Sequence, residues 1–296
     1  MSRLERRCAG RRPASVAGRA IAARVSAARA SRRRLCRNPG RRFETRSTST
    51  VSRCASGGAE TVGAGSVAAV AAEFVRRPVS WLVRRVLERA AQRRYVLGIA
   101  GPPGAGKSSL SVELRDAINA EAGGMVAEIA PMDGYHLDND VLRATGSLAR
   151  KGEPDTFDVD GYVAGLRRLR DTPVGEPVPW PTFDRSIDAP VPGGVVLDQQ
   201  PVVLTEGNYL LLDDFAGRRW SAVRALLDEC WYLDAARDVI EHRLLERHIR
   251  GGRTPAAARD KVRDSDLRNA DLVATTRERA DLVLRRQADG YAVRER

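Results

Sequence analysis

Lysine is nearly missing from this 296-residue chain: Lys107, Lys151 and Lys261 are the only three among 50 Lys and Arg. Histidine is as scarce, limited to His136, His242 and His248. Three of the four cysteines (Cys8, Cys36, Cys54) fall in the first sixty residues. Cys230 then stands alone, so no internal disulfide forms in the remainder, and a reduced compartment fits. It reads as a small apolar core residue. Too few His and Cys remain for a zinc cluster. No run of 18 apolar residues occurs, which excludes a spanning helix. Acids are almost absent from residues 1–59, which hold sixteen Arg and only Glu5 and Glu44, a net of +14. The whole chain carries +12, leaving −2 for residues 60–296. The basicity therefore belongs to the leader rather than to a folded face, and nucleic acid is disfavoured as a partner.

Residues 1–56 are rich in Arg, Ala and Ser and lack the apolar stretch of a secretory signal. This composition reads as a disordered organellar transit peptide, the alternative being a basic tail that touches RNA or an acidic partner. The Ser/Thr-rich end, Ser47 to Ser52, favours chloroplast over mitochondrion. Residues 57–93 read as a linker followed by an N-terminal helix over 66–93, broken at Pro78.

From 94 to 290 short apolar runs alternate with helical patterns. Strands are expected at 95–100, 125–130, 202–205, 230–233 and 282–284, and helices at 109–120, 159–170, 218–227, 235–250 and 254–276. Such alternation implies an α/β domain, a parallel sheet with helices on both faces. The proline-rich segment 172–200 breaks the rhythm and reads as an inserted loop or small hairpin lid.

Gly101-Pro-Pro-Gly-Ala-Gly-Lys-Ser108 matches G-x-x-x-x-G-K-[ST], placed between an expected strand and an expected helix. About 0.002 chance matches are expected in a chain of this composition. The glycines let backbone N–H groups wrap phosphate oxygens, and the helix N-terminus adds favourable potential. The nucleotide-binding set is Gly101, Pro102, Pro103, Gly104, Ala105, Gly106, Lys107, Ser108 and Ser109. Lys107 would bridge the β- and γ-phosphates, and the Ser108 hydroxyl would ligate Mg²⁺. Asp133 and Glu206 follow the second and third expected strands, so a parallel sheet gathers both carboxylates beside the phosphate loop. One can take the proton of an attacking hydroxyl and the other can hold Mg²⁺ through water. The bland alternatives are a turn cap for Asp133 and an N-cap for Glu206.

The order of these motifs, with Met132-Asp-Gly-Tyr-His136, Arg150-Lys-Gly152, Asp155-Thr-Phe-Asp158, Phe183-Asp-Arg185, Glu206-Gly-Asn-Tyr-Leu210 and Arg243…Arg247-His248, resembles the phosphoribulokinase/uridine kinase family of P-loop kinases. The likeness runs from about Tyr95 to Leu284, narrowest to a nucleoside/sugar kinase-like branch. It implies the P-loop NTPase fold with a helical lid bearing arginines, and ATP with Mg²⁺ as cofactors. It further implies a small-molecule acceptor bearing a hydroxyl. Asp133 would be the general base. Tyr135, His136, Phe157, Asp158, Arg185 and Asn208 would form the acceptor side, with Glu206 near Mg²⁺. Arg243 and Arg247, one helical turn apart, would close over ATP, with Arg250 and Arg253 as weaker candidates. A solvated basic face is the alternative for any one of these arginines.

Two departures fall on the acceptor side. Uridine kinases typically carry Ser-Phe-Tyr-like residues where this chain has Gly134-Tyr135-His136, and Gly-Ile where it has Gly207-Asn208. They weaken uridine as the substrate. Phosphoribulokinase is disfavoured because no cysteine lies near the phosphate loop. Two readings stay open beside the kinase: a P-loop hydrolase, and a nucleotide-binding regulatory protein with no acceptor.

Overall fold

The computed structural model describes residues 73–90 and 93–296. The expected transit peptide, the linker and the first part of the expected 66–93 helix lie outside these residues. The elements run β1 Val75–Arg77, α1 Val79–Arg89, β2 Tyr95–Ala100, α2 Lys107–Ala122, β3 Ala127–Ile129, α3 Asn139–Ala144 and α4 Val159–Asp171. They continue with β4 Val178–Asp184, β5 Ala189–Leu197, β6 Val202–Gly207, α5 Ser221–Arg224, β7 Glu229–Asp234, α6 Arg237–Arg250, α7 Pro255–Lys261, α8 Leu267–Ala274, β8 Leu282–Gln287 and β9 Gly290–Glu295.

Seven strands form one sheet in the order β1-β9-β8-β7-β2-β6-β3. The pairings β3–β6, β6–β2, β2–β7 and β7–β8 are parallel, and β9 closes the edge antiparallel to β8 and β1. Side chains alternate between two buried layers, as a pleated strand requires. Leu97, Val202, Leu204 and Trp231 meet α1 and α2 on one face. Val96, Val203, Cys230 and Tyr232 meet α4, Trp180 and Trp220 on the other. This is the expected α/β architecture, and Cys230 is buried in its core.

Several local expectations need correction. Residues 75–77 are strand, because they pair with residues 291–293, more than 200 positions away, and Pro78 has no N–H to continue a helix. Helix α1 packs on the sheet through Leu82, Val83 and Val86, so it shares the core with the segment beginning at 94, and β9 carries that core to Glu295. The helix expected at 218–227 shrinks to α5, since three-residue bonds (Leu226 N to Val223 O, Leu227 N to Arg224 O) tighten the chain before β7. The helix expected at 254–276 is α7, a π-helical turn at Val262–Asp266, and α8. Among the described residues, no helix is long and apolar enough to cross a membrane.

The segment 172–200 is a hairpin of β4 and β5, a ribbon separate from the main sheet. Both of its strands are edges, which is why prolines can sit there. It packs on the turn after β3, where Trp180 Nε1 donates to Pro131 O at 3.0 Å. The same turn is tied from below: Thr205 Oγ1 donates to Ala130 O at 2.6 Å and lies 2.7 Å from Tyr162 Oη. Contact is so close that a Cβ on Gly134 would lie 2.1 Å from Pro181 O. The absence of a side chain at 134 is therefore a packing requirement of the hairpin. Gly134→Ala is expected to destabilise the fold by about 1–3 kcal/mol, read from urea unfolding, as overpacking does.

Candidate active site

Parallel strands open their loops on one edge, and at the C-terminal ends of β2, β3 and β6 lies a cleft of about 1080 Å³. Its floor is the phosphate loop. Gly106, with φ 102°, caps α2 in the left-handed region and turns the chain into the helix. Lys107 follows it, and its ammonium is buried, donating to Pro102 O at 3.1 Å and to Asn208 Oδ1 at 2.7 Å. Burial pushes the lysine pKa down, opposed by the nearby Glu206 and Asp133 carboxylates. Two of its three N–H donors are thus committed to protein. One remains for a ligand.

Ser108 Oγ donates to Glu206 Oε1 at 2.9 Å. Burial, with Asp133 adding, pushes the Glu206 pKa up, while Lys107 and the Ser108 bond oppose it. A hydroxyl and a carboxylate this close are hard oxygen donors of the kind Mg²⁺ takes alongside substrate phosphates and water. Among the described residues, no three His, Cys, Asp or Glu converge as a dedicated metal cage.

Asp133 sits on the turn after β3, its Oδ2 3.2 Å from Arg185 Nη2 on the hairpin. His136 closes the same wall, with ring centroids 4.1 Å from Phe157 and 4.7 Å from Phe183. From α6, Arg243 donates to the carbonyls of Gly104 (3.3 Å) and Ala105 (3.1 Å), reaching across the phosphate loop. Arg247 projects into the cleft one turn further on, and the surrounding walls lower its pKa by desolvation.

Most expected site residues converge here. From the phosphate loop come Pro103, Gly104, Gly106, Lys107, Ser108 and Ser109. Asp133, His136, Phe157 and Arg185 form the opposite wall, Glu206 and Asn208 end β6, and Arg243, Arg247, Arg250 and Arg253 come from α6 and the loop after it. Gly101, Pro102 and Ala105 support the loop from behind and are buried.

Two residues do not come to the cleft. Tyr135 turns inward, its ring 5.2 Å from Trp180 and 5.3 Å from Tyr162, where burial pushes its pKa up. Asp158 is the N-cap of α4 and accepts from Gly161 N at 2.9 Å. Asn208, expected on the acceptor side, lines the cleft and accepts from the Lys107 ammonium at 2.7 Å.

Residues to which the sequence assigned no role also line the cleft. Lys151 and Lys261 line it, so all three lysines of an arginine-rich chain meet in one place. His248 Nε2 lies 2.6 Å from Asp266 Oδ2 on the π-helical turn. Scarcity was the available signal for the lysines: an ammonium is a compact point donor that a guanidinium does not replace.

Phosphate loop, paired carboxylates and arginine lid together define a P-loop nucleotide-binding protein, and the comparisons narrow the class. No family model matches the chain. A kinase-like protein of Aspergillus versicolor, described as ATP-dependent, is 36% identical over 155 residues, 49% of this chain and 88% of that protein. A Schizosaccharomyces pombe protein with a provisional uridine kinase assignment is 31% identical over 200 residues, 65% of this chain and 83% of that one. A solved structure from Silicibacter sp. TM1040, assigned provisionally as a fructose transport system kinase, is 36% identical with a TM-score of 0.63, covering 70% of this chain and 99% of that one. The chain belongs to the phosphoribulokinase/uridine kinase family of P-loop kinases. It is an ATP-dependent kinase of that class.

If Asp158 serves only as a helix cap, Asp158→Ala should lower stability by about 1 kcal/mol in urea unfolding. Steady-state ADP release should stay close to that of the parent protein.

Proposed function

We propose that this kinase transfers the γ-phosphoryl group of ATP to a hydroxyl of a small metabolite, a nucleoside, sugar or vitamin-like molecule. The observation that carries this reading is the Asp133 carboxylate, set on the wall opposite the phosphate loop in the same cleft as Lys107, Glu206, Arg243 and Arg247. The relatives' provisional descriptions, a uridine kinase and a fructose transport system kinase, mention a nucleoside and a sugar, both of which carry hydroxyls.

In this reading the acceptor oxygen attacks the γ-phosphorus as the bond to the ADP oxygen breaks. Asp133 takes the hydroxyl proton, and ADP leaves. The residues act by positioning and by charge: Lys107, Arg243 and Arg247 on the phosphoryl oxygens, Asp133 on the acceptor. Ser108 and Glu206 would hold Mg²⁺, which when bound neutralises charge on the phosphate oxygens. The leader's composition is the sole support for an organellar address, and a fluorescent protein fused behind residues 1–56 should enter plastids.

ADP release by the full chain with ATP and Mg²⁺ tests the proposal against a panel of nucleosides, pentoses, hexoses and pantothenate. An acceptor should stimulate the rate; turnover that no acceptor changes would favour the hydrolase. Lys107→Ala should nearly abolish turnover. Asp133→Asn should bind ATP normally and lower kcat by about 10²–10⁴.

A further inference from the structure

Helix α8 carries a buried amide that no described residue bonds. Asn269 is 7% exposed and lines the cleft, yet its side chain makes no hydrogen bond among the described residues. An amide brings two N–H donors and a carbonyl oxygen, and leaving them unmet under burial costs stability. Buried polar groups are almost always paired. The cleft is the side from which a partner for this one can come.

The irregular turn before α8 puts the amide there. Along an unbroken α-helix the residues four and seven after Lys261, Ser265 and Arg268, would share its face. The π-helical turn at Val262–Asp266 takes in one extra residue. Asp266 and Asn269 therefore line the cleft with Lys261, and Arg268 is left exposed. Asp266 is also buried, and its Oδ2 lies 2.6 Å from His248 Nε2. Its Oδ1 has no hydrogen-bond partner among the described residues.

This face is turned to the side of the cleft that carries Asp133. The Lys261 ammonium lies 3.4 Å from Lys151 O and 3.5 Å from Ala149 O. Lys151 in turn donates to Asn139 Oδ1 and, at the tip of the hairpin, to Asp188 O and Oδ2. Arg247 and Tyr209 each feel the Asp266 and Asp133 carboxylates together. A carboxylate in this position repels phosphate oxygens but accepts readily from a hydroxyl.

We infer that Asp266 and Asn269 belong to the acceptor site and hold hydroxyls of the acceptor beside the one that reacts. Asp266 Oδ1 accepts from one hydroxyl, and the Asn269 amide, able both to donate and to accept, meets its neighbour. Side chains three residues apart on a helix have Cβ atoms about 5–6 Å apart, close enough to serve adjacent hydroxyls of one molecule. This inference rests on the kinase reading above.

Asn269→Leu tests it, because leucine keeps the shape of asparagine without the polar atoms. In the full chain, removing an amide that no protein group uses should leave the urea midpoint unchanged or raise it. Calorimetric binding of AMP-PNP with Mg²⁺ should match that of the parent. ADP release is then followed with ATP, Mg²⁺ and uridine, D-ribose, D-fructose or pantothenate. For the acceptor that stimulates the parent, KM should rise about ten- to a hundredfold while kcat changes far less. Asn269→Ala supplies the same comparison if the leucine variant does not fold. A lower urea midpoint in both variants would make the amide structural, and weaker AMP-PNP binding with an unchanged acceptor KM would give it to the nucleotide. Either result, or an unchanged acceptor KM alone, overturns the inference while the kinase reading stands. If none of the four acceptors stimulated the parent, the kinase reading would fall first, and this inference with it.

Discussion

A buried ammonium has to be given acceptors and countercharge where it sits, and Lys107 receives both from one strand end. Asn208 Oδ1 accepts a hydrogen bond from it, and Glu206, two residues earlier, accepts from the neighbouring Ser108. These bonds stitch the start of α2 to the end of β6. They hold only because β2 and β6 pair with Ile99 opposite Glu206 and Ala100 opposite Gly207. A slip of one residue would turn Glu206 to the other face of the sheet and leave the ammonium without Asn208 and Glu206. The apolar alternation of β2 and β6 therefore fixes the register of these contacts as well as the core, since the same pleat that buries Val203 and Leu204 on opposite faces aims Glu206.

The opposite wall is built by a different logic. The turn carrying Asp133 is short and has little hydrogen bonding of its own, so other elements hold it. Trp180 grips Pro131 from the hairpin, Thr205 grips Ala130 from β6, and Arg185 reaches back from β4–β5 to the carboxylate itself. Gly134 is the cost of that arrangement, because only a residue without Cβ lets the β4 backbone pass so near. The chain's departure from the uridine kinase pattern at 134 is thus tied to the hairpin that packs on the Asp133 turn.

Whatever depended on local chemistry was legible in the sequence. The phosphate loop announces itself by spacing, and strand periodicity located β2, β3, β6, β7 and β8 closely enough to bring Asp133 and Glu206 to one edge. Contacts made over long sequence distances were not legible. Strand β1 exists only because residues 291–293 lie beside it. Tyr135 sits between two cleft residues in sequence, yet its ring goes to Trp180 and Tyr162. Asp158 carried both a family motif and a capping position, and the cap won. The clustering of Lys107, Lys151 and Lys261 needed three distant segments to be folded before it meant anything.

Those three ammoniums also show how the two halves of the cleft are linked. Lys261, at the end of α7, is held by the carbonyls of Ala149 and Lys151. Lys151 in turn holds Asp188 at the hairpin tip, and the hairpin carries Arg185 to Asp133. Polar contacts therefore link α7 to the hairpin tip, and the hairpin in turn to the turn that holds the carboxylate. Arginine could not take the place of Lys151: its planar fork suits a carboxylate or phosphate, whereas Lys151 must satisfy a side-chain amide, a main-chain carbonyl and a carboxylate around one nitrogen. Lys107 differs by a single uncommitted donor, and that one vacancy separates a lysine that holds the site together from one able to hold a phosphate.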